Sequence, residues 1–282
     1  VRSKWLVMLL LITAVHVSRT AKILGLFPMH AKSHMAVNLA IVKELAARGH
    51  EVTVVSPFPE KSEIPNYKEI VFDANIFEKF FEITGSYPPD PFSMRDLNSM
   101  QLMFMLWGMG SMLCEIHLQD AGVQELIHSK DENFDLIIIE AFFNDCFLGF
   151  AHKFKAPVVQ VCSFGGTNWM GDLVGNPNPY SYVPDGFTHF SDRMTFSERL
   201  TNTIVGEFMR MGRKYFYIPK QDAIARKYFN YTNDLPSISE LETSTALVLV
   251  NNHFSLNYAK PLMPNLVQVG GMHIKPPQEL SE

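Results

Sequence analysis

Short apolar runs separated by longer amphipathic stretches mark the first part of the chain, most clearly between residues 22 and 56. Residues 22–27 and 52–55 are apolar runs typical of buried strands. Between them, apolar positions recur every three to four residues, which predicts a helix with Ser33 as its N-cap and Gly49 as its left-handed stop. So short a crossover predicts a parallel, right-handed strand pair.

The same strand–helix–strand pattern returns later in the chain. Residues 134–139 and 157–161 are predicted strands, and residues 146–154 are the predicted helix between them. Two further apolar runs, residues 245–250 and 266–269, predict buried strands near the end. This alternation predicts an α/β fold with a Rossmann-like parallel sheet flanked by helices.

Three longer segments show other patterns. Residues 96–118 are apolar at helical spacing and rich in methionine, which predicts a core helix or, alternatively, one that lines an apolar pocket or touches a membrane surface. Residues 194–229 are amphipathic and helical in pattern. Residues 163–187 combine glycine, proline and aromatic residues, so we expect a long ordered loop over a binding cleft.

Composition narrows the classes of function. A net charge of −5 and a pI near 6.1 disfavour nucleic acid and anionic membrane surfaces as electrostatic partners. Cys114, Cys146 and Cys162 have no C-x-x-C spacing and no companion histidine cluster, so we expect free buried thiols rather than disulfides or a metal site. A dinucleotide fingerprint G-x-G-x-x-G does not follow any predicted strand, which disfavours a dehydrogenase.

The first twenty residues have the pattern of a secretory signal peptide. Arg2 and Lys4 precede an apolar run at residues 5–15, which is too short for a comfortable membrane span, and small or polar residues follow. Entry into the secretory pathway would make Asn230, in the sequon Asn-Tyr-Thr, a candidate glycan acceptor.

His34 opens the first predicted helix and is the leading candidate for chemistry. The loop before it leaves the carboxyl end of a strand, where open α/β sheets bind ligands. The positive end of the helix favours a neutral imidazole that can accept a proton. A carboxylate on the other ring nitrogen would then stabilise the cation that forms. A histidine that only caps or packs is the alternative.

Two carboxylates follow the strand predicted at residues 134–139. Glu140 ends the strand and Asp145 begins the next helix, so either side chain could face the same sheet edge as His34. An acidic residue at a helix start is commonly only a cap, which weakens the case for Asp145.

Several separate blocks in the same order resemble one protein family. They are FPMHAKSHMAVNLAIVKELAARGHEVTVVSP, the strand FDLIII with its acidic loop, SYVPDGFTHFSDRMTFSERL, ALVLVNNHFSLNYAKPLMPN and VQVGGMHIKPPQEL. Together they resemble the UDP-glycosyltransferases of animal microsomes, most closely the insect branch. The resemblance implies the N-terminal half of a GT-B enzyme of the endoplasmic reticulum lumen, a family active in detoxification. Residues 1–20 would be the signal peptide, 21–274 the acceptor-binding domain and 275–282 the start of an interdomain linker.

The resemblance also implies roles for individual residues. A histidine at the position of His34 deprotonates the acceptor hydroxyl, which attacks the anomeric carbon with inversion while UDP leaves. In the family an aspartate ends the strand that residues 134–139 resemble, and here Glu140 occupies that place. The partner of His34 is therefore open: Asp145 is slightly favoured on residue type, and Glu140, at the matching position, is a near-equal alternative. Acceptor contacts are expected from the loops at the same sheet edge: His30, Ser33, Trp107, Phe142, Phe143, Phe164, Gly165 and Trp169.

The expected partners follow from the same resemblance. They are a small lipophilic alcohol or phenol as acceptor and a UDP-sugar, with UDP-glucose as the first choice, and no cofactor or metal is implied. The family's Gly- and His-rich sugar-donor block has no counterpart in these residues, nor has its C-terminal membrane helix, so we expect an acceptor-side half that is inactive alone. The alternative is a non-catalytic module of the same fold that binds lipophilic molecules.

Overall fold

A computed structural model describes residues 20–73, 75–85, 93–230 and 234–275. This part of the chain contains seven strands in one sheet. The order across the sheet is β3-β2-β1-β4-β5-β6-β7, and every neighbouring pair is parallel, which confirms the predicted fold class. The strands are β1 (Lys22–Leu26), β2 (Glu51–Ser56), β3 (Tyr67–Val71), β4 (Leu136–Glu140), β5 (Val158–Cys162), β6 (Thr245–Val250) and β7 (Leu266–Gln268).

Helices connect the strands on both faces of the sheet. Four of them, α2, α4, α6 and α9, have no counterpart among the predicted helices, and each of the four spans nine residues or fewer. The helices are α1 (Lys32–Ala47), α2 (Ile76–Thr84), α3 (Ser99–Leu118), α4 (Ala121–His128), α5 (Gly149–Phe154), α6 (Asn168–Asp172), α7 (Phe196–Gly212), α8 (Ile218–Tyr228) and α9 (Ile238–Thr243). A π-helical turn, Arg213–Tyr217, joins α7 to α8.

The start of α1 differs from the prediction. The N-cap is Ala31, without a side-chain cap, so the prediction of Ser33 as N-cap is wrong and His34 is the third residue of the helix. The helix begins earlier because the chain leaves β1 through Phe27–Ala31 and turns directly into Lys32. Its end is as predicted, since Gly49 has a φ of 90° just beyond the helix.

Alternate residues of the strands belong to two separate hydrophobic cores, one on each face of the sheet. Ile137 and Ile139 of β4 pack with α3 and α4 on one face, whereas Ile138 packs with α1 on the other. β1 lies beside β4, with Leu26 opposite Ile139. The chain direction across the sheet reverses between these two strands, so their outgoing loops open a crevice at the carboxyl edge.

The cysteine prediction is wrong for two of the three residues. Cys114 on α3 and Cys146 after β4 form a disulfide with Cα atoms 6.3 Å apart, while Cys162 is free and buried. Helix α3 approaches the turn after β4 so closely at Gly110 that a Cβ there would stand 2.4 Å from the Phe143 carbonyl oxygen. Residue spacing cannot reveal a pairing that this tertiary contact creates.

Several predictions concern segments at the margins of the described residues. The predicted signal peptide, residues 1–20, and the predicted linker, residues 275–282, lie outside that part except for residues 20 and 275. Asn230 is exposed beside residues that also lie outside it. The methionine-rich helix is α3, and Met103 and Trp107 on it belong to the core. Among the described helices, none combines the length and hydropathy that a bilayer-spanning segment needs.

Candidate active site

The two side chains best placed for chemistry meet where β1 and β4 end. Nδ1 of His34 lies 2.5 Å from Oε1 of Glu140. The His34 side chain is 16% exposed and that of Glu140 only 1%, so the histidine is reachable from the crevice while its partner is enclosed. A carboxylate on Nδ1 holds that nitrogen as the N–H, which leaves Nε2 with the lone pair that can accept a proton.

A third residue, not foreseen from the sequence, holds the carboxylate. Ser163 Oγ donates to the same Oε1 atom of Glu140 at 3.1 Å, and Asn251 Nδ2 donates to the Ser163 carbonyl oxygen at 3.0 Å. Ser163 directly follows β5 and Asn251 directly follows β6, so four neighbouring strands place groups at one edge. The strand order was the signal that could have found them, because both residues follow predicted strands.

Asp145 is engaged elsewhere, which corrects the slight preference for it as partner of His34. Its Oδ1 accepts from the guanidinium of Arg213 at 2.7 Å, and the same guanidinium also bonds Glu242. All three side chains are at least nine-tenths buried. Burial raises the pKa of Glu242 to about 7, because it and the neighbouring Asp145 carboxylate outweigh the opposing effect of the Arg213 cation. Because its three members are buried and paired with one another, this ion cluster has a structural role.

A sharp turn separates the two carboxylates. Phe143 has a φ of 54°, a left-handed conformation that bulky residues rarely adopt, and it is almost fully buried. Glu140 keeps the direction of β4 toward the sheet edge, whereas Asp145 comes after the turn and starts a 3₁₀ turn that ends beside α8. Position along the strand, rather than residue type, decides which carboxylate meets His34.

Two aromatic rings flank His34. The Phe142 ring meets the His34 ring edge-on with centroids 4.7 Å apart, and the Phe164 ring lies 6.4 Å from it. Beside Phe142 runs a narrow apolar crevice between the β1–α1 loop, α3 and the turn after β4. Its lining includes Met29, Met109, Leu113, Phe143, His117 and Asn144.

The remaining predicted acceptor residues divide into two groups. His30 contacts a residue of the crevice lining, with its Nε2 atom 3.1 Å from Nε2 of His117, and burial lowers the pKa of His30 to about 4. Ser33 is exposed on α1, and the Gly165 carbonyl oxygen accepts from Lys260. Trp107 and Trp169 are not brought to His34, because they lie in the core, Trp107 against Gly212 and Trp169 over the Arg213 guanidinium.

Sequence comparison decides the family. The family model described as "UDP-glucoronosyl and UDP-glucosyl transferase" matches residues 21–282. The chain belongs to this family. The resemblance seen in the separate sequence blocks is thereby confirmed.

Relatives in this family include insect and mammalian enzymes. The chain is 36% identical to UDP-glucosyltransferase 2 of Dactylopius coccus, over 98% of this chain and 52% of that protein. It is 30% identical to the 2-hydroxyacylsphingosine 1-beta-galactosyltransferase of Rattus norvegicus, over 97% of this chain and 49% of that protein. The chain thus spans about half the length of the curated relatives it matches.

Solved structures give a weaker likeness. The calicheamicin glycosyltransferase CalG4 overlaps 89% of this chain and 52% of its own, with a TM-score of 0.46 and 14% identity. That score is too low to carry a conclusion, so the fold of this chain stands on its own parallel sheet.

Proposed function

We propose that this chain forms the acceptor-binding side of an inverting UDP-glycosyltransferase, in which His34 is the general base and Glu140 its carboxylate partner. The contact of 2.5 Å between His34 Nδ1 and Glu140 Oε1 is the observation that carries the proposal. Membership of the family supports the reaction class, and the apolar and aromatic side chains beside His34 favour a small lipophilic alcohol or phenol as the acceptor.

The proposed step uses the free ring nitrogen of His34. Nε2 takes the proton of the acceptor hydroxyl while the oxygen forms a bond to the anomeric carbon of the UDP-sugar. The bond from that carbon to the UDP oxygen breaks, UDP leaves with the electron pair, and attack from the opposite face inverts the anomeric configuration. Glu140 stabilises the imidazolium, and general-base assistance of this kind contributes roughly 10²–10⁴-fold.

The sugar donor enters from outside the described residues. We propose that this donor is UDP-glucose and that it is bound mainly by a second domain, like the C-terminal half of the relatives. Residues 1–282 alone are then expected to show no turnover. The proposal includes the endoplasmic reticulum lumen as the location, with a glycan on Asn230. A mobility shift of the secreted chain after endoglycosidase treatment, absent in Asn230→Gln, tests the glycan and the compartment together.

The decisive experiment joins this chain to the C-terminal half of Dactylopius coccus UDP-glucosyltransferase 2. Transfer from UDP-glucose to a panel of phenols is measured for wild type and His34→Ala, and the product anomer is assigned by NMR. We expect an inverted product and a loss of roughly 10²-fold or more in kcat for His34→Ala. Phenol binding that is the same in both chains, with no turnover in either, would favour the alternative, a non-catalytic binding module in which His34 is inert.

A further inference from the structure

The crevice beside His34 contains two polar side chains in otherwise apolar surroundings. Its other lining groups are methionine, leucine and phenylalanine side chains, a proline, a glycine and one half of the disulfide. The polar pair is Asn144, 8% exposed, and His117, 1% exposed. Buried polar groups in native proteins nearly always have a hydrogen-bond partner, so any unpaired atom here points to a missing one.

Asn144 has its amide orientation fixed. Its Oδ1 accepts from the backbone N–H of Phe142 at 3.1 Å, and this bond identifies the other terminal atom as the nitrogen. Within the described residues, that Nδ2 atom is buried and has no hydrogen-bond partner. One N–H of this side chain is therefore left without a partner among the described residues, at a residue that lines the crevice.

His117 presents a second unused nitrogen. Its Nε2 is engaged with Nε2 of His30, whereas the buried Nδ1 has no partner in the part of the chain that the structure describes. The two imidazoles are parallel within 1°, with centroids 5.3 Å apart, as in a head-on N–H···N hydrogen bond. Depending on which histidine donates in that bond, Nδ1 of His117 is an acceptor or a donor.

The two unpaired nitrogens are held in place by the wall that carries them. Asn144 and His117 belong to the two segments that the Cys114–Cys146 disulfide joins, and α3 meets the turn after β4 directly at Gly110. The Phe72 ring stacks on His117 with centroids 4.2 Å apart. A fixed arrangement of unpaired polar groups favours ligands that satisfy it.

From this arrangement we infer that Asn144 and His117 determine acceptor specificity by binding a second oxygen of the acceptor, remote from the hydroxyl that receives the sugar. The inference rests on the proposed function for the identity of that first hydroxyl. A carbonyl or a hydroxyl oxygen can accept from Asn144. Where Nδ1 of His117 carries the proton, either oxygen also accepts from it, and where Nδ1 is an acceptor, only a hydroxyl can donate to it. The substrate class is thus an aromatic alcohol with a distal oxygen, rather than a plain hydrocarbon alcohol.

Binding to the chain itself tests this without any sugar transfer. Dissociation constants are measured by titration calorimetry for biphenyl-4-ols and 2-naphthols whose far end carries a hydroxyl, a formyl or a methyl group. We expect wild type to bind the two oxygen-bearing forms about 10-fold more tightly than the methyl form, since sites with unpaired polar groups reject ligands that leave them unpaired.

Three variants test whether Asn144 and His117 cause this preference for oxygen-bearing ligands. Asn144→Asp keeps the bond to Phe142 and removes the unused N–H, and His117→Phe keeps the stacking on Phe72. Each is expected to reduce the preference to roughly twofold or less. Met109→Leu, which changes the same wall without touching a polar group, is expected to shift the affinity of all forms together. Circular dichroism melts confirm that each variant is folded.

Two outcomes overturn the inference: equal affinities for all forms in wild type, or a preference that survives in both Asn144→Asp and His117→Phe. A preference for only one of the two oxygen-bearing forms supports it and identifies the tautomer of His117. Sugar transfer by the joined enzyme separates this result from the proposed function. Transfer without a preference contradicts only the inference, and a preference without transfer contradicts only the proposed catalysis.

Discussion

His34 and Glu140 are 106 residues apart in the chain, and their side chains meet at 2.5 Å between Nδ1 and Oε1. The parallel pairing of β1 with β4 brings them together, because His34 follows the first strand and Glu140 ends the second. The buried carboxylate fixes Nδ1 as the N–H of the ring and leaves the lone pair on Nε2. Catalysis in the proposed function depends on this relationship.

The hydroxyl of Ser163 is expected to position Glu140. In the joined enzyme, Ser163→Ala removes one of the two bonds to Oε1, so kcat should fall roughly 10-fold with KM nearly unchanged, the size expected for one hydrogen bond to a charged group. Steady-state kinetics provide the measurement. Ser244→Ala, which removes a hydroxyl bond at the end of α9, is the matched control and should behave as wild type. A change in KM alone would argue against positioning.

The Cys114–Cys146 disulfide should contribute strongly to stability. It closes a loop with a sequence separation of 32, which corresponds to about 3–4 kcal/mol of unfolding free energy in the chain-entropy account. Urea unfolding of the double variant Cys114→Ala, Cys146→Ala should show that loss, and Cys162→Ala a smaller one. Alkylation of the denatured, unreduced chain should label Cys162 alone; labelling of all three cysteines would refute the disulfide.

Arg213 should be far more important for folding than Arg210. Arg213→Met leaves Asp145 and Glu242 buried without their shared cation and should cost about 3–5 kcal/mol. Arg210 pairs with Asp172 at the half-exposed surface, so Arg210→Met should cost at most about 1 kcal/mol. Urea unfolding at pH 7.5 compares them, and equal losses would show that the Arg213 cluster is not effectively buried.

Acid should destabilise the fold through the His30–His117 pair. Burial lowers the pKa of His30 to about 4, below its ordinary value of 6.5, and burial also lowers the pKa of His117 well below that ordinary value. The unfolded chain therefore binds more protons between pH 6.5 and 4, so the stability that neutral His30 provides above pH 6.5 is lost as pH falls through this window. The loss for His30 should reach about 2 kcal/mol at pH 5.

Paired unfolding curves at pH 7.5 and pH 5 isolate this contribution. His30→Gln should lose much less stability than wild type between the two values, whereas His189→Gln, at an exposed position, should match wild type. Identical pH dependence in all three chains would contradict the assigned neutral pair.

Most of the sheet was readable from the sequence because its central strands are short apolar runs, several of them next to a helix with a clear period. The strands predicted at residues 245–250 and 266–269 agree with β6 and β7 to within one residue. His34 was found because a helix start at the carboxyl edge of a strand constrains both its location and its chemistry. These features are local, so the residues themselves carry them.

Contacts between segments that are distant in the chain could not be predicted from the sequence. The disulfide depends on α3 crossing the turn after β4 at Gly110, and the choice between Glu140 and Asp145 depends on the left-handed Phe143. Asn144 and His117 become significant only when their unpaired nitrogens are seen in one crevice. Tertiary packing creates each of these features, and no spacing rule predicts them.

The most direct test is the turnover of Glu140→Gln against Asp145→Asn in the joined enzyme at saturating UDP-glucose and phenol. Both changes replace a carboxylate by an amide of nearly the same shape, and only Glu140 touches His34. We predict that kcat falls about 10²-fold or more in Glu140→Gln and stays within about threefold of wild type in Asp145→Asn. Full turnover in Glu140→Gln, with the loss in Asp145→Asn instead, would contradict the account.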